Sequence, residues 1–418
     1  MRDLLLTMLV FGLLPYVLMR PHVGILLWSW LGYMNPHRLS YGFAYSFPFA
    51  QLVAIALILA LVFSKEPKRL PITPVTVVWL LFLFWMCIST VFALYPEDAQ
   101  LQLIKVLKIQ LIAFLTMMIM TTKERLNMLV WVIFLSIGFF GIKGGIFTIL
   151  SGGSYRVWGP PGSYIEGNNE LALATLMVVP LAFYLRKTVE NKWLKLILLG
   201  CMVLMVISSI GSQSRGALLA ALALGFYMWM KSSSKIITGV AAVSVGIALF
   251  SFMPQNWHDR MSTIETYEED RSALGRINAW TMATNMSLHR LTGGGYEIWR
   301  AEIFAVHSPE PEYIHDAHSI YFEVLGEQGI PGLGLFLLLW FLGFRTGNWI
   351  VKKTKGIDEL ASLGDLAKML QVSMIAYAVG GAFLGLAYFD LPYHLLGIMV
   401  ICKVIVQKHL DETSSKIK

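Results

Sequence analysis

The chain has 418 residues, 56% of them hydrophobic and only 14% charged, with a mean hydropathy of +0.63. A soluble core of this length needs far less apolar material, so a soluble globular protein is excluded and a polytopic membrane protein is expected. The net charge of +7 is not gathered into a basic patch interleaved with aromatics on a soluble face, which argues against nucleic acid as a partner.

The apolar runs are continuous rather than alternating, which points to helices and away from a β-barrel, because hydrocarbon cannot hydrogen-bond a bare backbone. In chain order, hydrophobic segments near 4–34, 47–64, 72–94, 99–120, 126–150, 170–185, 194–211, 216–230, 236–253, 330–344, 366–386 and 391–407 give about twelve spans. Runs such as Ile72–Leu94, Ile236–Met253 and Leu333–Phe344 with its apolar lead-in approach the roughly 20 residues that cross about 30 Å of hydrocarbon. Arg20, Pro21 and His22 divide the first run, which leaves one span or two short helices and a count of eleven to thirteen. The opening run shows no small-residue cleavage site of a signal peptide. Cys87, Cys201 and Cys402 all lie in apolar segments, an odd number suited to packing rather than a disulfide. The expected organisation is an all-α chain: a helix bundle over 1–253, a polar segment with an interfacial helix over 254–329, and C-terminal spans with a tail over 330–418.

Orientation follows from lysine and arginine in short loops. Lys65, Lys68 and Arg69 form one cluster, and Lys123 with Arg125 a second. Arg186, Lys187, Lys192 and Lys195 form a third, Lys231 and Lys235 a fourth, and Arg345, Lys352, Lys353 and Lys355 a fifth. With the spans above, all five fall on one side, expected to be cytoplasmic with the tail carrying Lys408, Lys416 and Lys418. The polar segment, residues 151–169 and the turn at 211–215 fall on the other side.

Three polar stretches on that second side carry the chemistry. In 151–169 the density of glycine and proline specifies a fixed non-helical loop containing Arg156, and Asn169 is placed to cap the following helix. A capped helix start also offers amide hydrogens to an anion. In Ser212-Gln213-Ser214-Arg215-Gly216, the arginine lies at the edge of the hydrocarbon, where it costs several kcal/mol unless paired or hydrated. Snorkelling would explain it; its place after a tight polar turn favours a ligand site.

The polar segment holds five of the nine histidines and no lysine. Arg276, in Gly275-Arg276-Ile277-Asn278-Ala279-Trp280, stands among Arg260, Arg271, Arg290 and Arg300, balanced by ten carboxylates between 254 and 318. Most of these charges suit a solvated face. Arginine, however, makes forked contacts with phosphate oxygens. His315 and His318, three apart, would share a face of a helix and raise the question of zinc, but a third ligand at fixed spacing is missing. His318 is instead read as a general base, with His315 beside it. In the helix after it, Ile320 pairs with Val324 and Tyr321 with Leu325 as an apolar stripe, and Gly329, Pro331, Gly332 and Gly334 mark a bend into the next span.

The stretch His318-Ser-Ile-Tyr-Phe-Glu-Val-Leu-Gly-Glu327-Gln-Gly329-Ile-Pro-Gly332 resembles the signature of the O-antigen ligase and polymerase superfamily, a histidine, an apolar helix and an acidic-x-Gly turn. The resemblance extends to Ser214-Arg215-Gly216, to Gly275-Arg276 ahead of Trp280, and to Arg156, Gly159, Gly162 and Asn169, covering roughly 150–345. The opening, with Tyr33-Met-Asn-Pro-His37-Arg38, is similar to the ligase branch associated with exosortase systems. One departure is Ser319, where the family usually has asparagine.

The resemblance implies a GT-C-like glycosyltransferase of the bacterial inner membrane with its active site facing the periplasm. It would take an oligosaccharide from an undecaprenyl-pyrophosphate-linked donor to lipid A-core, with membrane lipids around it. Arg215, Arg276 and Arg156 would hold the pyrophosphate, with Asn169 and His315 also binding substrate and His318 deprotonating the acceptor hydroxyl. Arginines can neutralise the leaving group, so neither a metal nor another cofactor is expected. A polymerase or a protein O-oligosaccharyltransferase would use the same donor chemistry. A transporter is the more distant reading; it would show two related halves and mid-membrane polar groups, and no internal repeat is found.

Overall fold

The computed structural model describes residues 1–66, 68–232, 234–262 and 271–417. Residues 263–270 of the polar segment and Lys418 of the basic tail therefore lie outside the described residues. The described chain is all-helical. The helices are α1 (Arg2–Met19), α2 (Pro21–Met34), α3 (Phe49–Phe63), α4 (Pro74–Val91), α5 (Pro96–Ile119), α6 (Lys123–Leu150), α7 (Asn168–Thr188) and α8 (Lys192–Gly211). They continue with α9 (Arg215–Lys231), α10 (Lys235–Phe252), α11 (Gln255–Ser262), α12 (Arg271–His289), α13 (Ala301–His307), α14 (Ile320–Lys353), α15 (Ala361–Gly380) and α16 (Asp390–Ile417).

Among the described residues, ten helices are long and apolar enough to cross a membrane, and α3 is a shorter apolar helix. The chain is a multi-pass membrane protein, with fewer full-length spans than the expected twelve. The first apolar run is two helices: Arg20 leaves helical geometry at φ −136°, ψ 89°, as the residue before a proline tends to do. Pro21 then opens α2, at the position where its missing N–H costs nothing. Local signals start other helices. Thr73 and Thr76 form a reciprocal capping box at α4, and the Asn191 side chain accepts from Trp193 N and Leu194 N at α8.

Helices α7, α15 and α16 form the centre, with 78%, 67% and 72% of their apolar windows buried. Polar side chains inside the bundle bond across helices, as hydrocarbon demands. Trp79 Nε1 donates to Gln110 Oε1 at 2.8 Å. His394 lies between Tyr33 Oη at 2.7 Å and Thr116 Oγ1 at 2.8 Å, and Ser373 Oγ donates to Met177 O at 2.6 Å.

The five basic clusters meet at one end of the bundle. Arg125 forks onto Glu66 at 2.7 and 2.8 Å, Lys123 Nζ donates to Glu359 O, and Lys187 pairs with Asp365 at 3.3 Å. Lys187, Lys231 and Asn348 line one cavity, which brings the third, fourth and fifth clusters together.

The long α14 is interrupted at Gly329, whose φ of 68° and ψ of −175° belong to a region that only glycine occupies readily. The break leaves carbonyls without helical partners, and other segments satisfy them. Gly294 N donates to Gly326 O at 2.9 Å and Gly295 N to Glu327 O at 3.0 Å, while Trp85 Nε1 donates to Gln328 O at 2.7 Å. A Cβ at Gly329 would strike Leu291 O and come within 2.7 Å of Gly293 N. Gly329→Ala is therefore expected to cost at least ~3 kcal/mol, from backbone strain and lost hydrogen bonds. In detergent its melting temperature falls below that of wild type, whereas Gly334→Ala, with no atom within 4 Å of the added Cβ, melts as wild type does. Equal melting of the two variants refutes this account of the kink.

Candidate active site

At the end opposite the basic clusters, the turn between α8 and α9 ties several segments together. The Ser214 side chain accepts from Ala217 N at 3.1 Å and so starts α9 at Arg215. Gln213 adopts a positive φ of 57°. Its Nε2 donates to Gly153 O at 3.2 Å and its carbonyl accepts from Arg260 Nε at 2.8 Å. Asn168 Nδ2 donates to Ser212 O at 2.8 Å, and Trp257 Nε1 to Ile210 O at 3.2 Å. The loop 151–167, the start of α7, this turn and α11 thus form one interlocked face.

Helix α12 positions the histidines. Asn278 Nδ2 donates to Glu310 O at 2.8 Å and Tyr313 O at 2.9 Å, and its Oδ1 accepts from Glu310 N at 3.0 Å. Gly275 leaves room for the His315 ring: a Cβ there would lie 2.9 Å from His315 Cδ2. Trp280 Nε1 donates to Ala317 O at 2.7 Å, and its indole stacks on Phe322 with centroids 4.8 Å apart and planes 7° apart. Arg276 lies four residues before Trp280, on the same helix face. The residue that grips the chain beside His318 therefore shares its face with the arginine.

The stretch 314–318 is not helical, which corrects the idea of a shared helical face for the two histidines. Their rings instead meet edge to face, with centroids 5.0 Å apart at 69°. His318 has a φ of 41°, an uncommon left-handed conformation for a side chain of this size. His315 Nδ1 lies 2.8 Å from Asp316 O; a carbonyl only accepts, so Nδ1 carries the proton. Burial pushes the His318 pKa below its ordinary 6.5; Arg276 and His315 push it in the same direction, and Asp316 opposes them. The imidazole is neutral at neutral pH and able to accept a proton.

Arg215 reaches this neighbourhood through the short 3-10 turn Gly381–Phe383. A Cβ at Gly216 would lie 3.0 Å from Phe383 Cβ, and one at Gly381 would lie 2.7 Å from Ile320 Cδ1. The starts of α9 and α14, carrying Arg215 and following His318, are thus the two walls of one turn. Arg276 also acts electrostatically on Glu170 in the first turn of α7.

The structure thus brings Arg276, His315 and His318 together and sets Arg215 on the adjoining helix start. Arg156 remains exposed on the loop 151–167. Asn169 does not cap α7: the helix already begins at Asn168, with Gly167 at the N-cap and no side-chain cap. Asn169 lies in the first turn, and it is Asn168 that reaches out to Ser212. Ile320 and Val324 of the expected apolar stripe are buried in the main core. Sequence reasoning passed over Asn278 and Gln213. A polar amide in mid-helix between an arginine and a tryptophan was the available signal for Asn278, since such a side chain usually bonds elsewhere. Ser319, at the N-cap of α14, makes no side-chain cap bond, and its buried Oγ has no partner among the described residues.

A multi-pass helical protein with arginines and a neutral imidazole on one face has the features of a membrane enzyme for an anionic, lipid-borne substrate. Residues 200–337 match the family described as O-Antigen ligase, and residues 1–190 match a family of unknown function, DUF5935. The domain at residues 200–337 supports the O-antigen ligase superfamily. No curated protein matches the chain. Arg215, Arg276, His315 and His318 fall within the first match, Arg156 and Asn169 within the second. The domain at 200–337 supports an enzyme of ligase or polymerase type in O-antigen or glycan processing, and its family implies a lipid-linked glycan donor and a lipid acceptor in the membrane.

Proposed function

We propose that the protein is an O-antigen ligase, transferring glycan from undecaprenyl pyrophosphate to lipid A-core at the periplasmic face of the bacterial inner membrane. The observation that carries this reading is the packing of α12, which bears Arg276, against the His315–His318 pair: Gly275 lies against the His315 ring, the two histidine rings are 5.0 Å apart, and Trp280 bonds Ala317 O beside the half-buried His318. The acceptor hydroxyl gives its proton to His318 as its oxygen bonds to the anomeric carbon. The bond from that carbon to the pyrophosphate breaks, and the electron pair leaves with undecaprenyl pyrophosphate. Arg276 and Arg215, with Arg156 from the loop, neutralise that charge, so no metal is needed; Asn169 and His315 contact the donor. Displacement from the opposite face inverts the anomeric configuration. The outward orientation is supported by the five basic clusters at the far end of the bundle, since such clusters favour the cytoplasm.

The test is reconstitution of purified protein with undecaprenyl-pyrophosphate-linked glycan and lipid A-core in the presence of a chelator. Transfer with inverted configuration is expected. Transfer only to a second polyprenyl-linked glycan makes the protein a polymerase, and transfer only to serine or threonine makes it a protein O-oligosaccharyltransferase. Translocation of the donor without transfer makes it a transporter, and retention of configuration excludes direct displacement.

A further inference from the structure

A cavity of about 450 Å³ with both apolar and cationic lining lies at the other end of the bundle between α7, α9, α14 and α15, with the start of α10 at its edge. It is remote from the candidate active site: α9 runs from Arg215 to Lys231, sixteen residues or about 24 Å. Three lysines from three helices, Lys187, Lys231 and Lys368, line it with the amides of Asn348 and Gln371. Its floor is apolar, with Tyr227, Met369 and Val372 buried. All three lysines share the cavity wall while keeping part of their side chains in contact with solvent. Asp365 pairs with Lys187 at 3.3 Å and Lys368 at 3.0 Å, while Lys231 Nζ lies 5.4 Å from the Tyr227 ring centroid. Three ammonium groups against one carboxylate leave two positive charges.

Thr238 of α10 lines the cavity, and α10 buries no residue of its own. The start of α10 is held to the end of α9: Trp229 Nε1 donates to Lys235 O at 3.0 Å, and the Ser232 and Thr238 hydroxyls are 2.6 Å apart. On either side of that joint, Phe226 of α9 and Val240, Val243 and Ile247 of α10 are exposed apolar residues. We infer that this cavity binds the phosphate headgroup of an anionic phospholipid whose acyl chains lie along α9 and α10. A soluble phosphate would use the lysines but leave the apolar floor and the α10 surface unused; a zwitterionic lipid would leave the excess positive charge uncompensated.

The experiment uses the full-length protein in detergent and native mass spectrometry, with tetraoleoyl cardiolipin, dioleoyl phosphatidylcholine and inorganic phosphate as probes. Cardiolipin is expected to be retained in preference to phosphatidylcholine, and excess inorganic phosphate to fail to displace it. Each lysine removed weakens retention about fivefold, so K187Q/K231Q binds about 25-fold more weakly. Lys353→Gln, an exposed lysine at the same end but outside the cavity, binds as wild type. Equal retention of the two lipids, displacement by phosphate, or unchanged cardiolipin binding by K187Q/K231Q overturns the inference. Should the double variant not fold, the wild-type competition between the three probes still decides it.

Discussion

His318→Asn is expected to lower kcat for glycan transfer by about 10²–10⁴-fold while leaving the KM for the donor nearly unchanged. Asparagine is the informative substitution because it tolerates the left-handed backbone that His318 adopts at φ 41°, whereas alanine adds strain of its own. The amide can preserve the position but cannot take the acceptor's proton. Backbone strain at this residue is the kind held in place only where surroundings over-determine it. Here those surroundings are the Trp280 bond to Ala317 and the His315 ring packed beside Gly275. The pH profile supplies a second readout. A group with a depressed pKa stays unprotonated further into acid, so the acid limb of kcat/KM lies below the ordinary imidazole value of 6.5. Once the anionic donor sits against Arg276, part of that depression is cancelled, and the limb of kcat moves to higher pH than the limb of kcat/KM. Full activity in His318→Asn moves the base role to His315 or elsewhere; coincident limbs remove the electrostatic link to the donor.

Arg276→Gln is expected to cost about 10²–10³-fold in kcat, the scale seen when one preorganised donor to a developing negative charge is removed. Arg276→Lys restores the charge but not the planar fork, so it recovers only part of the loss. A structural role for Arg276 would also reduce activity, and the pH profile separates the two. Arg276 lowers the His318 pKa, so removing its charge raises that pKa and shifts the acid limb of kcat/KM upward, toward 6.5. In Arg276→Lys, which keeps the cation, the limb stays near its wild-type position. A limb that does not move in Arg276→Gln would falsify the direct action of this arginine on His318. Arg215→Gln serves as the comparison: it lies across the turn Gly381–Phe383, and its loss lowers the rate without an equal shift of the limb.

Much of the site was legible in local sequence because its parts carry local signals. The Ser212-Gln213-Ser214 stretch before Arg215 reads as a tight polar turn, and the structure has a turn there from which α9 starts, capped by Ser214. Gly329 reads as a bend, and α14 breaks there. The failures are equally physical. Asn169 has the right residue type for a cap, but the helix starts two residues earlier than that cap would give, at Asn168, whose side chain bonds Ser212 O, a partner 44 positions away. The two histidines have helical spacing, yet Trp280 and Asn278 hold their segment in an extended path, through bonds that span 32 to 37 positions. Periodicity cannot see such bonds.

By itself the sequence determined that this is a helical, multi-pass membrane protein, and it led to the expectation that five basic loop clusters lie toward one end and the informative arginines and histidines toward the other. That information is additive along the chain: hydrocarbon forces any long apolar run into a helix, whatever its neighbours. Only the tertiary structure decided which polar groups meet. Arg276 comes within electrostatic reach of His318 because α12 packs against α14, and Arg215 lies nearby because Gly216 and Ile320 both pack against one short turn. The three lysines of the far cavity likewise converge from separate helices. Such meetings arise from packing between distant segments, whose energy belongs to pairs of residues and not to either one.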